Sequence, residues 1–219
     1  RKIIPFDQYG LKVMSFGFIS GNETPVIWRG PMVSRMTEQF FNDVTWGKLD
    51  FLILDLPPGT GDIHLTLTQK LRMAGAVIVT TPQDIALADV RKGADMFRKV
   101  HTPILGVIEN MSGLQLKGTV ETADGIAQKD LRMVFQGIDK EVTTDEKGNF
   151  SFLVDLFKSG GGAEESERLG VPLLGKIPIS MDIMSATDGG KPIILSDPQS
   201  TVSEIFRDIA VNILSQLAN

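Results

Sequence analysis

The chain of 219 residues contains no cysteine. Disulfides and thiolate-held metal or cluster sites are therefore excluded within these residues, and the composition suits a reducing cytoplasm. Histidine is almost missing. His64 and His101 stand far apart with no acidic partner at ligand spacing, so each is expected to be an ordinary surface or helix-end residue. Positive charge is in deficit, 22 Lys+Arg against 27 Asp+Glu for a net charge of −5. No Lys/Arg stripe offers the footprint that a phosphate backbone needs, so no nucleic-acid partner is expected. No apolar run approaches the roughly 18 residues of a membrane span. The opening Arg1-Lys2-Ile3-Ile4-Pro5 lacks the apolar stretch of a secretory signal and reads like the middle of a longer protein. No membrane partner is expected either.

What is present is ordinary in bulk and specific in detail. A hydrophobic share of 42% with 22% charged residues fits a globular chain able to bury one sizeable core. The most informative stretch is Phe51 to Asp62 (FLILDLPPGTGD), an apolar run that ends at Asp55 and turns through Pro57, Pro58, Gly59 and Gly61. The run predicts a strand buried on both faces, as in a parallel sheet. Ligands of open parallel sheets bind beyond the carboxyl ends of the strands. A carboxylate placed there can hold Mg²⁺ through water, while a glycine turn aims backbone N–H groups at a phosphate.

Apolar strands alternate with amphipathic helices along the rest of the chain. Strands are expected over Leu11–Phe18, Phe51–Asp55, Ala76–Thr80, Ile104–Glu109 and Leu173–Ile177. Helices are expected over Val33–Val44, Asp62–Met73 (Asp62 as its cap), Ile85–Val100, Glu164–Leu169 and Val202–Leu217. The alternation implies βαβ units around a mostly parallel, doubly wound α/β sheet. One segment breaks the rhythm. Residues 114–157 carry period-two runs, such as Leu131–Phe135 and Phe150–Val154, between glycine turns, which suggests a small antiparallel β insertion. The α/β domain is then expected over 1–113 and 158–219. The run Gly160-Gly161-Gly162 reads as a flexible junction returning from the insertion.

Five segments stand in an order and spacing that resemble the Mrp (ApbC-like) family of P-loop ATPases, relatives of MinD and ParA. They are IWRGPM (27–32), DLPPGTGD (55–62), TPQDIALADVRKG (81–93), GVIENMSG (106–113) and GVPLLGKIPIS (170–180). The resemblance implies a cytoplasmic homodimer that binds and slowly hydrolyses ATP with Mg²⁺ and delivers iron–sulfur clusters to apo iron–sulfur proteins. Two features depart from the pattern. A phosphate loop needs Gly-Lys followed by Ser or Thr, whereas Gly47-Lys48, Gly175-Lys176 and Gly190-Lys191 are followed by Leu, Ile and Pro. In the family that loop precedes the position matching Arg1, so the first strand, phosphate loop and first switch are expected to lie outside this sequence. The family's C-x-x-C after the NMS motif has no counterpart, which leaves a cluster without its usual thiolates.

By the resemblance, Asp55 would be the water-mediated Mg²⁺ partner and the residue tied to hydrolysis; a turn-forming acid at a strand end is the plainer alternative. Gly59 would bring its N–H to the γ-phosphate, unless Pro58-Gly59 is only a turn. Asn110 matches the position that reads adenine, a carboxamide offering donor and acceptor together, or else is a loop residue at a strand end. Ile177 and Pro178 would pack on base and ribose. Trp28 and Arg29 would anchor the dimer face, with core packing an equal explanation for Trp28. Asp84 would sit at that interface, although charge on a first helical turn also accounts for it. Two further classes remain open: a MinD/ParA-like ATP-driven regulatory switch, and a non-catalytic scaffold, either one using the β insertion to bind partners.

Overall fold

A computed structural model gives the structure of the chain and describes residues 2–20, 38–56, 67, 71–138 and 140–218. The chain divides into two compact units, Arg1–Arg72 and Met73–Asn219.

The first unit begins with an antiparallel hairpin, β1 (Phe6–Gln8) against β2 (Leu11–Val13). Tyr9 and Gly10 join them with φ of 55° and 75°, the doubly left-handed backbone that a tight hairpin turn requires. The strand expected over Leu11–Phe18 thus stops at Val13, where its partner Phe6 stops. Ser15 Oγ then accepts the Gly17 N–H at 3.2 Å, and α1 (Gly17–Ser20) follows. Residues 38–42 are helical, within the helix expected over Val33–Val44. Beyond them Val44 is buried and makes a parallel bridge to Ile3.

Phe51–Asp55 corrects a sequence expectation. It is irregular rather than a buried strand, and Ile53 is 90% exposed. A strand persists only where its N–H and C=O groups meet a ladder. None of the strand pairings or bridges of the described residues involves this run. Its apolar pattern announces a tendency to be buried without supplying the neighbour that would do it. The helix expected over Asp62–Met73 lies almost wholly outside the described residues.

The second unit is α/β with a mixed sheet. β3 (Ala76–Thr80), α2 (Asp84–Lys99) and β4 (Ile104–Thr119) form a parallel unit, and β8 (Leu173–Ile179) pairs parallel to β4. β4 is 16 residues long because it serves two ladders in succession. Its first part lies between β3 and β8; Leu114–Thr119 then pairs antiparallel with β7 (Asn149–Val154). The strand expected to end at Glu109 therefore continues through a bulge. β5 (Arg132–Phe135) and β6 (Lys140–Thr143) make a further antiparallel hairpin within residues 114–157.

Helix α3 (Gly161–Leu169) precedes β8, and α4 (Met181–Asp188), α5 (Ile193–Ser196) and α6 (Thr201–Leu217) follow it. α3 starts three residues earlier than its apolar pattern indicates. α6 is capped by Ser200, whose hydroxyl accepts the Ser203 N–H. Its Ile209 packs with Ile108, Leu174 and Ile177 in the core. Gly175 permits that approach, since a Cβ there would lie 2.5 Å from Ile209 Cγ1. Among the described residues no helix is long and apolar enough to cross a membrane.

The turn from β6 into β7 rests on Asp145. Its carboxylate accepts the Lys147 and Asn149 N–H groups, each at 2.8 Å, and the Asn149 amide at 3.1 Å. The Asn149 backbone bond, followed by its side-chain bond, holds the Asp145 carboxyl below its ordinary 3.8. A carboxyl depressed in the folded state stabilises it fully above 3.8 and loses that contribution as pH falls through the depressed value. The Lys147 and Asn149 amide proton shifts are therefore expected to titrate with a midpoint below 3.8, followed by NMR. A midpoint at or above that value would show the bonds to be idle in solution.

Candidate functional site

β3, β4 and β8 run parallel, so their carboxyl ends share one edge of the sheet. Thr80, Glu109 and Lys176 form one row across the three strands, and Asn110 pairs with Ile177 one row further on. Two of the motif segments are thereby neighbours: Asn110 and the Ile177-Pro178 pair lie on adjacent strands. Ile177 is buried in the core beside Ile209, and Pro178 is buried as well.

Beyond Asn110 the strand leaves this ladder. Four steps on β4, from Asn110 to Leu114, are matched by two on β8, from Ile177 to Ile179. The surplus is taken up in a bulge where Met111 and Gly113 have φ of 56° and 132°. A left-handed non-glycine residue is uncommon, and bulges of this kind re-aim a strand and collect beside functional sites. Asn110 Oδ1 accepts the Met111 N–H at 3.0 Å, which fixes the orientation of its amide.

Glu109 is 1% exposed. A carboxylate so deeply buried needs partners, and its Oε2 accepts the Gly162 N–H at 2.6 Å while Lys176 Nζ stands 3.6 Å from Oε1. Gly162 belongs to the first turn of α3. A Cβ there would lie 2.6 Å from Glu109 Cβ, so the glycines are a close-approach device rather than the loose junction expected from sequence. Glycine 160 alone keeps a linker character, capping the helix with φ of 87°.

Behind this turn α2 and α3 are joined by a network of charges. Fully buried Glu165 accepts from Arg91 Nε at 3.2 Å and from Arg168 Nε and Nη2 at 2.8 and 2.7 Å. Arg91 also meets Glu164 at 2.9 Å, and Arg168 meets Asp95 at 3.2 Å. The hydrogen bonds to Glu165, above all, hold the Arg168 guanidinium above its ordinary value. Asp84 opens α2 at the surface and pairs with Lys158 at 3.1 Å, the bond that most raises the Lys158 ammonium. Asp55 is exposed and belongs to the first unit. Gly59, Trp28 and Arg29 lie outside the described residues, as do Asp62 and His64.

Glu109 and Gly162 escaped sequence reasoning. The available signal was an acid closing an otherwise apolar strand, ILGVIE, since buried strands keep a Glu only where something pairs with it. At this edge a carboxamide held by the Met111 N–H stands on the strand beside the one that carries the buried Pro178. Phosphate-binding chemistry is absent from the sequence as a Gly-Lys-Ser/Thr loop, and among the described residues no cluster of three His or acidic side chains could hold a metal ion by itself. A single carboxylate acting through water needs no such cluster. A cavity of about 340 Å³ lined by Arg98, His101, Thr102 and Leu169 lies at the opposite, amino end of β4, away from the edge where parallel sheets bind ligands.

The model of the ParA family described as NUBPL iron-transfer P-loop NTPase matches residues 1–145 and 148–214, and so runs through the antiparallel segment. The iron–sulfur cluster carrier protein of Aquifex aeolicus is 41% identical over 99% of this chain and 51% of its own length. The iron–sulfur cluster transfer protein NUBPL of Dictyostelium discoideum is 38% identical over 99% of this chain and 58% of its own. The chain thus spans between half and three-fifths of these relatives. Among solved structures, a nucleotide-binding protein of Archaeoglobus fulgidus in complex with ADP superposes with a TM-score of 0.60 at 27% identity, covering 94% of this chain and 67% of that one.

Proposed function

The chain belongs to the NUBPL-type iron-transfer P-loop NTPases of the ParA family, and from that premise we propose that it forms the base-reading and switch portion of an ATP-driven, homodimeric iron–sulfur cluster carrier of the cytoplasm. The observation that carries the reading is the pairing of Asn110 with Ile177 at the carboxyl edge of the parallel strands, with Pro178 next in line. Asn110 reads adenine through its amide and Pro178 packs against the base; Ile177 supports Pro178 from the core. Gly59 directs its N–H to the γ-phosphate, and Asp55 holds Mg²⁺ through water. Bound MgATP supplies the triphosphate whose terminal bond is cleaved, and the surrounding chain contributes position and charge rather than a covalent nucleophile. Trp28, Arg29 and Asp84 serve the contact between subunits, and residues 114–157 serve the meeting with apo iron–sulfur recipients.

An outer-sphere metal partner is typically worth a factor of about 10–100 in affinity or activity. Asp55→Asn in the intact gene product is expected to lower ATP turnover by about that factor while leaving nucleotide binding measured in EDTA unchanged. Undiminished turnover would remove Asp55 from the site.

The lack of cysteine favours a second reading, in which the nucleotide switch is kept and the antiparallel segment binds a partner without any cluster. Anaerobic reconstitution with iron and sulfide separates the two. The carrier takes up iron and shows visible cluster absorption, whereas a colourless, iron-free dimer that still hydrolyses ATP belongs to the switch.

A further inference from the structure

Among the described residues Glu109 is the one deeply buried acid at the carboxyl edge of the sheet, and the proposed function gives it no task. The amino end of a helix usually presents its partial positive charge to an anion from outside. At α3 the anion is built in: the Glu109 carboxylate takes the Gly162 N–H at 2.6 Å and faces Lys176 Nζ at 3.6 Å. Two members of this triad stand beside a part of the proposed base site. Glu109 immediately precedes Asn110, and Lys176 immediately precedes Ile177-Pro178. The anchor also sits where it is most needed, because β4 abandons the β8 ladder directly beyond Asn110 and enters the strained turn at Met111.

Orientation is what a base reader requires. A carboxamide turned over exchanges donor for acceptor, and so donates to guanine O6 as readily as, the other way round, it accepts from the adenine amino group. Asn110 is held one way round by the Met111 N–H on its Oδ1, at 3.0 Å. That bond lasts only while the backbone of 110–111 keeps its place, and the buried side-chain anchor next to it is Glu109, one residue before Asn110.

We propose that Glu109, gripped by the Gly162 N–H and Lys176, is a positioning residue that holds Asn110 against Pro178 and so sets the preference for adenine over guanine nucleotides. The inference rests on the reading of Asn110 as the base contact. Glu109→Gln keeps an acceptor for Gly162 but gives up the charge facing Lys176; Glu109→Ala gives up both. Lys176→Met changes a half-exposed side chain and keeps the fold.

The test is equilibrium binding of the fluorescent probes mant-ADP and mant-GDP to the intact gene product, with Asn110→Ala alongside. The wild type is expected to prefer the adenine probe, and the ratio of affinities to fall about tenfold in Lys176→Met and further in Glu109→Ala, with Glu109→Gln between. Most of the change should come from weaker mant-ADP binding. A wild type that prefers adenine, loses the preference in Asn110→Ala and keeps it in all three anchor variants would overturn this proposal alone. A wild type that binds neither probe, or whose preference survives Asn110→Ala, would overturn the base-contact reading and this proposal with it. A merely structural Glu109 would lower stability and both affinities together without moving their ratio.

Discussion

Replacing Glu165 by alanine is expected to lower the unfolding free energy by about 3 kcal/mol, read as a shift of the urea midpoint at constant slope. The side chain is fully buried and accepts three hydrogen bonds from two guanidinium groups. Removing one member of a buried ion pair commonly costs about 3–5 kcal/mol, chiefly because the surviving charge is stranded. Here the survivors are not wholly stranded. Arg91 and Arg168 are 40% and 32% exposed and keep Glu164 and Asp95, so the lower end of that range applies. Glu165→Gln retains the volume and an acceptor, and should cost about half as much. A double-mutant cycle between Glu165→Ala and Arg168→Met is expected to give a coupling above about 1 kcal/mol. Coupling near zero would reduce the network to a set of solvated contacts.

That network also marks where a sequence stops being informative. Arg91 and Glu165 are 74 residues apart, and nothing local distinguishes them from neighbouring surface charges. By contrast β3, α2 and the start of β4 were legible almost to the residue, because a β-branched run, a proline and an amphipathic helix each declare themselves over a few positions. The same holds for α6, whose apolar residues recur at helical spacing. The expected Phe51–Asp55 strand failed for the complementary reason. Apolarity is a property of the segment, but a ladder is a property of two segments, and the second was inferred rather than seen. β4 was cut at Asn110 since a polar residue after an apolar run ordinarily means a loop; the antiparallel partner that carries the strand onward past the bulge lies 39 to 44 residues away in sequence, at β7. Asn110, Ile177 and Pro178 were singled out through motifs, whereas the contact of Glu109 with Gly162 was missed because it exists only once α3 is docked on the sheet.

Gly162→Ala is expected to lower the stability of the second unit by about 3–5 kcal/mol. Two costs add. The new Cβ would fall 2.6 Å from Glu109 Cβ and 3.0 Å from its Oε2, so α3 or β4 must shift, and overpacking of this kind costs about 1–3 kcal/mol. The shift draws the Gly162 N–H away from a buried carboxylate, and a charged-group hydrogen bond lost in the interior adds about 1.5–3 kcal/mol. Gly93 provides the internal control. It lies inside α2 with nothing within 4 Å of a Cβ, so Gly93→Ala meets no clash and gains helix propensity. That change should stabilise the chain by about 0.5–1 kcal/mol. The two alanines thus carry opposite signs although both replace a helical glycine, and chemical denaturation of the two variants reads the difference directly. Equal effects would mean that glycine at 162 reflects the flexibility of a linker and that α3 does not press on Glu109. Gly162→Ala should also reproduce the loss of adenine preference seen in Glu109→Ala, because either change releases the same anchor from opposite ends.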